Sequence, residues 1–341
     1  MRWTPLPRVY RGKWSVPEID SQPESRILNP KSIKVFAPAS ISNLGSGFDV
    51  IGIAIDKPGD IVVASRTDES GLSFSVKTKH GDGTADAPTD SMKNVAAHVA
   101  QLMIDELKPN FGIKMKLHKQ MPIGSGLGSS AASSVASVVA MNALLVKPLK
   151  RKDLLRFAVE GERLATGSAH ADNVAPCLLG GAQLVRSYDP LDVVSLRVCN
   201  TITWVVVHPH FVVRTEDARN VLPKEIPMKS AIRQWGNVGG LVAGLARGDA
   251  QLVGKCTEDV LVEPHRAILV RGFREVKQAA IEAGAFGCSL SGSGPSMFAV
   301  VSSTQPAQKI AQAMKKTFAR VAGVRSDVFT SKINMRGATF L

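Results

Sequence analysis

A glycine-rich segment from Pro122 to Ala132 constrains the fold more than any other part of the chain. It reads Pro-Ile-Gly-Ser-Gly-Leu-Gly-Ser-Ser-Ala-Ala and opens a long run of small and apolar residues that predicts a buried helix. Glycine permits backbone conformations in which several N–H groups converge on one point, and a helix start adds unpaired N–H groups and partial positive charge. A turn that needs glycine only for packing is the alternative. At a strand-to-helix junction, however, the combination favours a bound phosphate chain.

The segment differs from the two best-known phosphate-binding sequences. A Walker A loop would continue with Gly-Lys-Ser or Gly-Lys-Thr, and a dinucleotide fingerprint would place an acidic residue at a set distance; the chain has neither here. We therefore expect phosphate to be bound by the backbone amides and serine hydroxyls of the segment itself. The residues predicted to do so are Pro122, Ile123, Gly124, Ser125, Gly126, Leu127, Gly128, Ser129, Ser130 and Ala131.

Size and charge narrow the class of protein. The chain has 341 residues, 44% of them hydrophobic, which suits two globular domains. Its formal net charge of +13 would suit nucleic acid, an anionic membrane or an anionic small ligand. Aromatic residues make up only 5% and do not alternate with basic ones, so no stacking platform for single strands is expected. We predict a small-molecule partner and no nucleic acid.

Cysteine usage and hydropathy indicate the compartment. Cys177, Cys199, Cys256 and Cys288 are widely spaced and lack a zinc-binding pattern, which favours free thiols in a reducing cytosol. No apolar run is long enough to span a bilayer, and the first thirty residues lack the apolar core of a secretory signal. We expect a cytoplasmic protein with no membrane partner.

Strand-like and helix-like segments follow one another in mixed order, which is typical of an α+β protein. We predict two separate strands, from Phe48 to Ile55 and from Asp60 to Arg66. We also predict a helix capped by Asp90 and ending near Leu107, and a single long helix from Pro264 to Ala283.

Three motifs give the chain its resemblance to a known family. Pro-x-Gly-x-Gly-Leu-Gly-Ser-Ser-Ala resembles the central motif of the GHMP kinases, which phosphorylate small molecules with ATP. The segments from Pro38 to Asp49 and from Gly287 to Ser296 resemble the first and third motifs of the same family, in the same order. The resemblance implies that ATP is the phosphoryl donor and that the third motif folds beside the other two. It adds Ser291 and Gly292 to the predicted ATP site.

The resemblance also implies a fold. GHMP kinases are two-domain α+β proteins with an N-terminal ribosomal-protein-S5-like α/β domain and a C-terminal ferredoxin-like α+β domain. On this basis we expect an N-terminal extension over residues 1–30, an ATP-binding domain over 31–200 and a C-terminal domain over 201–341.

Further segments are similar to the homoserine kinases within that family. These are Gly167 to Pro176, Thr215 to Arg219, and Glu263 to Arg266. The resemblance implies ATP-dependent phosphorylation of the L-homoserine hydroxyl, giving O-phospho-L-homoserine in threonine biosynthesis, and a homodimer. The alternative is another GHMP kinase that acts on mevalonate, a sugar or shikimate.

The substrate site implied by this resemblance agrees with the chemistry of an amino acid. Arg219 and Arg266 could hold a carboxylate with charge-assisted bonds, and Asp49 and Asp172 could hold an ammonium group. Any one of these residues, taken alone, would more often be a solvated or structural group. The predicted substrate-binding residues are Asn43, Asp49, His170, Asp172, Thr215, Arg219 and Arg266.

The resemblance also supplies metal and catalytic candidates. Glu162 is the predicted Mg²⁺ ligand, with Ser130 as a second oxygen donor and Glu160 as a rival for the carboxylate. Asp172, Asn173 and Ser130 are the catalytic candidates. Some GHMP kinases have a catalytic Asp where this chain has Asn173, so we expect no protein base here.

Overall fold

The computed structural model describes residues 31–78 and 87–341. The predicted N-terminal extension over residues 1–30 lies outside the described residues, and so does most of the loop that follows Thr78. The α+β class predicted from the sequence is confirmed, since two sheets combine with helices along the chain.

Seven strands form the larger sheet, in the order β11-β1-β2-β4-β3, with β5 paired to β2 and β6 paired to β5. In β4, alternation places Ile113, Met115 and Leu117 in the core and leaves Lys114 and Lys116 exposed. The strands are β1 Ser32–Ser42, β2 Ile51–Thr67, β3 Leu72–Thr78, β4 Gly112–Lys119, β5 Ala182–Tyr188, β6 Leu191–Leu196 and β11 Thr339–Phe340.

Helices cover the apolar face of this sheet. They are α1 Val95–Leu107, α2 Ser129–Leu144, α3 Leu155–Thr166 and α4 Ala171–Leu179. Helix α2 lies at the centre and contacts β1, β2 and the other three helices. Its alanine, serine and valine side chains are small enough for these neighbours to pack closely, so nearly the whole helix is buried. This central position fixes the start of α2, where the glycine-rich segment ends.

The second sheet has four antiparallel strands in the order β10-β7-β9-β8. Its strands are β7 Thr203–Pro209, β8 Gly287–Leu290, β9 Met297–Val301 and β10 Ser326–Ser331. Val205 and Val207 on one face pack with the helices α9 and α10, whereas Trp204 and Val206 on the other join the larger core. The remaining helices are α5 Thr215–Asn220, α6 Met228–Arg247, α7 Ala250–Cys256, α8 Glu263–Arg266, α9 Phe273–Glu282 and α10 Ala307–Ala322.

Several predicted boundaries were wrong. Helix α1 begins at Val95 and is capped by Asn94, whose side chain accepts a hydrogen bond from the Ala96 amide, so Asp90 is not its cap. The two strands predicted between Phe48 and Arg66 form one long strand, β2. The helix predicted from Pro264 to Ala283 is interrupted at Gly272, which has a φ of 81°.

The predicted domain boundary near residue 200 stays a prediction. The last strand, β11, pairs with β1, so the end of the chain contributes to the larger sheet. Within the described residues, no helix has the length and apolar character needed to cross a bilayer.

Candidate active site

A cleft of about 820 Å³ is lined by most of the predicted site residues. The predicted residues that do not line it are Pro122, Leu127, Ala131, Arg219 and Ser291. Its walls come from the glycine-rich segment and the start of α2, from Ser42 at the end of β1 and the adjacent Asn43, from the end of α3 and the start of α4, and from residues 212–216. The lining also includes Arg266, Gly292 and Ser293, Asp49, the end of β4 and residues 87–88 and 93–95. Residues separated by more than 200 positions in the sequence therefore face one space.

The glycine-rich segment has the backbone geometry of a phosphate-binding loop. Gly124, Gly126 and Gly128 have φ values of 67°, 76° and 67°, in the left-handed region that glycine adopts most readily. Gly128 is the N-cap residue of α2 and supplies no side-chain cap. The first amides of α2 are therefore available to a ligand, beside the Ser129 hydroxyl, which is buried without a partner in the described chain.

The third motif packs directly on this loop, as the resemblance implied. The Ser291 hydroxyl donates to the Gly126 carbonyl at 2.7 Å, and the Ser296 amide donates to the Ser125 carbonyl at 3.2 Å. A Cβ atom at Gly126 would lie 2.4 Å from the Ser291 carbonyl oxygen, so only glycine fits there. The Gly292 amide also donates to the Ser42 carbonyl at 3.2 Å, which joins the first and third motifs.

The predicted substrate residues form a charged cluster. Nη2 of Arg219 donates to both carboxylate oxygens of Asp49, at 3.2 and 2.9 Å, and lies 3.5 Å from Nδ1 of His170. Arg266 is buried and donates to the carbonyls of Ala218 and Gly292. The Phe48 ring lies against both guanidinium groups, 5.5 Å from Arg219 and 4.9 Å from Arg266. Burial lowers the pKa of Arg266 to about 10, so it stays charged at neutral pH.

Asn43 and Asp49 hold the first motif in a strained conformation. Their φ values are 69° and 58°, which are uncommon for residues other than glycine. The Asn43 side chain compensates by accepting from the Asp49 amide at 3.0 Å and donating to the Gly292 carbonyl at 3.1 Å. Strain maintained by side-chain hydrogen bonds is frequent at ligand sites.

Helix α4 presents three predicted residues from its first turn. His170 is the N-cap residue, and burial lowers its pKa. Burial raises the pKa of Asp172 to about 8, with further contributions from the Asp49 and Glu162 carboxylates. The Asn173 Oδ1 atom accepts from the Ser40 hydroxyl at 2.8 Å. Thr215, at the start of α5, lines the cleft opposite these residues.

Glu162, and not Glu160, faces the cleft. Glu162 is buried, its Oε1 atom has no hydrogen-bond partner in the described chain, and burial raises its pKa to about 7 against the opposing effects of Ser130 and Lys119. Glu160 instead pairs with Arg163 on the surface at 3.0 Å.

Comparison with known proteins agrees with this geometry. The chain matches the family of GHMP kinases N terminal domain over residues 94–181 and GHMP kinases C terminal over residues 241–320. It is 46% identical to the homoserine kinase of Chloroherpeton thalassium over 91% of this chain and 100% of the relative. The crystal structure of homoserine kinase from Cytophaga hutchinsonii superimposes with a TM-score of 0.86 at 52% identity, covering 92% of this chain and 98% of that one.

This chain belongs to the homoserine kinase family of GHMP kinases. Membership makes it an ATP-dependent kinase that acts on a hydroxyl group. The crystal structure of L. major mevalonate kinase in complex with R-mevalonate shares the fold, with a TM-score of 0.63 at 18% identity over 88% of this chain and 96% of that one.

The homoserine kinase site has donors that fit a magnesium ion bound with ATP. The unpartnered Oε1 of Glu162 and the hydroxyl of Ser130 are hard oxygen donors that could hold such an ion beside the predicted phosphate loop. In the part of the chain that the structure describes, no three His, Cys, Asp or Glu side chains form a metal cluster. Magnesium is commonly held by one or two carboxylates together with phosphate and water, so a small donor set suffices.

The sequence interpretation missed a buried charged network under the loop. Lys119 forms an ion pair with Asp60 and donates to the Ser129 carbonyl at 2.7 Å and the Ser133 hydroxyl at 2.9 Å. Asp60 also accepts from two backbone amides, those of residues 120 and 121. The sequence did indicate that Lys119 is buried, because side chains alternate along β4 and Lys119 lies on the same core-facing side of the strand as Leu117.

Tyr188 is a second residue that the sequence did not indicate. Its hydroxyl donates to the Asp49 carbonyl at 2.8 Å, although 139 positions separate the two residues. It lies at the end of β5, and no motif surrounds it. Only the pairing of β5 with β2 brings it to the substrate cluster.

Proposed function

We propose that this kinase transfers the γ-phosphoryl group of ATP to the side-chain hydroxyl of L-homoserine, giving O-phospho-L-homoserine in threonine biosynthesis. The observation that carries the proposal is the Arg219–Asp49 ion pair, whose Asp49 lines the same cleft as the glycine loop. A site with one fixed cation and one fixed anion is complementary to a zwitterion, and homoserine is a zwitterion with a free hydroxyl.

Binding of homoserine would break the Arg219–Asp49 ion pair and replace it with ion pairs between each residue and the substrate. In the ligand-free site the Asp49 carboxylate pairs with the Arg219 guanidinium group. When homoserine binds, the substrate carboxylate would contact Arg219 and Arg266, and the substrate ammonium group would contact Asp49 and Asp172. Every charge then keeps a partner. Asn43, His170 and Thr215 are proposed to fix the orientation of the substrate by hydrogen bonds.

The phosphate groups of ATP would lie on the loop from Pro122 to Ala131, closed by Ser291 and Gly292. The amides at the start of α2, which have no side-chain cap, would stabilise the charge that develops on the transferred phosphoryl oxygens. When bound, Mg²⁺ would neutralise phosphate charge, with Glu162 and Ser130 as its protein ligands. The protein contributes mainly positioning and electrostatic stabilisation.

We propose no protein base. The side chain of Asn173 accepts from Ser40 and is thereby fixed, but an amide does not take a proton at neutral pH. Asp172 is assigned to the substrate ammonium group. The proton of the homoserine hydroxyl then leaves with the phosphate oxygens or to solvent.

Substrate identity is favoured over the alternatives by the degree of similarity. The homoserine kinases of Chloroherpeton thalassium and Cytophaga hutchinsonii are 46% and 52% identical to this chain over nine-tenths of its length. The mevalonate kinase match, at 18% identity, concerns the fold. We further propose a cytoplasmic homodimer, with residues 31–200 as the ATP-binding domain and 201–341 as the C-terminal domain.

Two truncated substrates test the proposal. 4-Hydroxybutyrate lacks the ammonium group of homoserine, and 3-aminopropan-1-ol lacks the carboxylate. We expect each to lose about 100-fold or more in kcat/KM relative to L-homoserine, because each leaves one charge of the cluster unpaired. Turnover of 4-hydroxybutyrate at the rate of L-homoserine would contradict the proposed role of the ion pair.

A further inference from the structure

Tyr188, at the end of β5, holds the backbone of Asp49 from outside the cleft. Its hydroxyl donates to the Asp49 carbonyl at 2.8 Å. Tyr188 is not among the residues that line the cleft, whereas Asp49 is. A group that contacts a cleft residue without facing the cleft acts on a ligand through that residue. Any role of Tyr188 in the reaction is therefore one of positioning.

The same hydroxyl lies at the start of α4. The amides of Ala171 and Asp172 face the Tyr188 oxygen. Burial and the carboxylates of Asp172 and Asp49 raise the pKa of Tyr188, and these two amides act in the opposite direction. The first amides of a helix have no partner within the helix, and the N-cap residue His170 supplies no side-chain cap. One protonated hydroxyl therefore connects the first motif to the helix that carries Asp172.

A β-bulge precedes Tyr188 in β5. In the pairing of β5 with β6, the two steps from Val185 to Ser187 are matched by a single step of β6, so Arg186 is an extra residue. Bulges often redirect a side chain beside a functional site. Strand β5 also pairs with the start of β2, two residues beyond Asp49. The bulge and this pairing together bring the Tyr188 hydroxyl to the first motif.

The backbone of Asp49 needs such a restraint, because its φ is 58°. In the ligand-free site, the Asn43 side chain holds the Asp49 amide, Tyr188 holds its carbonyl and Arg219 pairs with its carboxylate. Under the proposed function, homoserine separates Arg219 from Asp49. Asn43 and Tyr188 then keep the Asp49 backbone in place while the substrate is bound.

We propose that Tyr188 is a positioning residue for the ammonium group of the substrate. Its hydroxyl holds Asp49 and the start of α4 together, so that the carboxylates of Asp49 and Asp172 face one cation. The inference rests on the proposed function, which assigns the ammonium group of homoserine to these two residues. Arg219 and Arg266, proposed for the substrate carboxylate, come from α5 and α8 and not from the elements that Tyr188 joins.

The kinetics of Tyr188→Phe with three substrates test the proposal. The variant keeps the aromatic ring and loses only the hydroxyl. We expect kcat/KM to fall about tenfold for L-homoserine and for 3-aminopropan-1-ol, which carry the ammonium group, and less than about twofold for 4-hydroxybutyrate, which lacks it. KM for ATP should stay unchanged. A general role in the fold would lower kcat/KM for all three substrates alike.

Ser187→Ala is the matched control, because it removes a hydroxyl of the same strand that bonds to the backbone of Asp189. It should leave kcat/KM for each substrate within about twofold of wild type. Equal losses for the three substrates in Tyr188→Phe, or no loss for homoserine, would overturn this proposal alone. If wild type used 4-hydroxybutyrate as well as homoserine, the proposed function and this inference would fall together.

Hydrogen exchange in the ligand-free protein tests the connection itself. We expect Tyr188→Phe to speed exchange of backbone amides about tenfold in peptides that cover residues 43–50 and 170–175, because the hydroxyl that joins these segments is gone. Ser187→Ala should leave both segments as protected as in wild type. Unchanged protection of both segments in Tyr188→Phe would overturn the proposal, whatever the substrate.

Discussion

Nη2 of Arg219 lies 2.9 Å from Oδ2 of Asp49, and the two residues are 170 positions apart in the sequence. Arg219 comes from α5 and Asp49 from the loop before β2, so the pair joins the two halves of the chain. Tyr188, Phe48 and Asn43 surround it and fix its position. Because the pair is partly exposed and Asp49 lines the cleft, a ligand with both charges could replace the pair without leaving a charge buried alone.

Removing the guanidinium group should weaken homoserine binding specifically. We predict that Arg219→Leu raises KM for L-homoserine by about 100-fold or more, because a charge-assisted contact to the carboxylate is lost and Asp49 remains unpaired. KM for ATP should change little. Arg186→Leu, which removes another arginine–aspartate pair on the surface, is the control. Steady-state kinetics in both substrates would contradict the assignment if KM for ATP rose as much as KM for homoserine.

A side chain at Gly126 in the glycine-rich segment should strongly lower the efficiency with which the protein uses ATP. We predict that Gly126→Ala lowers kcat/KM for ATP by about 100-fold or more, because the new Cβ collides with the Ser291 carbonyl and displaces the third motif. Gly323→Ala is matched for backbone strain, since Gly323 has a φ of 68° and open space around it. Equal losses in the two variants would mean that strain alone, and not closure of the loop, accounts for the effect.

The Lys119–Asp60 pair should matter for stability more than any surface pair. We predict that Lys119→Met lowers the free energy of unfolding by roughly 3–5 kcal/mol, because it leaves a buried carboxylate without its cation. Asp60→Asn in the same chain should restore part of the loss. Arg156→Met, which breaks an exposed pair with Glu106, should cost about 1 kcal/mol or less. Urea titration measures all three, and a loss for Lys119→Met no larger than for Arg156→Met would refute the prediction.

Glu162 should make the metal-free protein less stable as the pH rises. Its pKa is raised from 4.5 to about 7, so the folded state holds a proton that the unfolded state has released between these values. Folding stability from this group is therefore present below about pH 4.5 and lost as the pH rises through about 7. In EDTA, Glu162→Gln should exceed wild type in Tm by several °C at pH 8 and by much less at pH 5.

Glu160→Gln is the control for this titration, because Glu160 is exposed and pairs with Arg163. Its Tm difference from wild type should stay the same from pH 5 to pH 8. If the Tm difference between Glu162→Gln and wild type is also constant over this range, the Glu162 carboxyl does not hold its proton in the folded state as proposed.

The kinetics of an Asp172 variant distinguish a role in substrate binding from a role as the catalytic base. We predict that Asp172→Asn raises KM for homoserine while kcat falls much less, because the side chain is assigned to the ammonium group and no protein base is required. Burial and the neighbouring Asp49 and Glu162 raise the pKa of Asp172 to about 8, so in the ligand-free site the amide replaces a carboxyl that is largely uncharged at neutral pH. A normal KM together with a collapse of kcat would identify Asp172 as the base.

Local chemistry was sufficient to predict the backbone conformation of the glycine-rich segment from the sequence. Three glycines followed by a small-residue helix leave few conformations, and the structure places Gly124, Gly126 and Gly128 in the left-handed region expected of them. The α+β class also followed from the order of periodic segments. These features depend on residues that are close together in the chain.

Choices between neighbouring candidate residues, and features that depend on distant residues, could not be predicted in the same way. Asp90 and Asn94 are both good cap residues, and only the structure shows that Asp90 binds the Met92 amide in a turn while Asn94 caps α1. The contact of Tyr188 with Asp49 depends on strand pairing between β5 and β2. Lys119 could have been placed in the core by strand parity, but its partner Asp60 lies 59 positions away.

The most direct test of the central claim is a single competition reaction. The purified chain is given limiting Mg·ATP and equal concentrations of L-homoserine, mevalonate, galactose and shikimate, and the phosphorylated products are identified by mass spectrometry. The account predicts O-phospho-L-homoserine as the dominant product. Phosphomevalonate or another phosphorylated competitor as the main product, with homoserine unchanged, would contradict it.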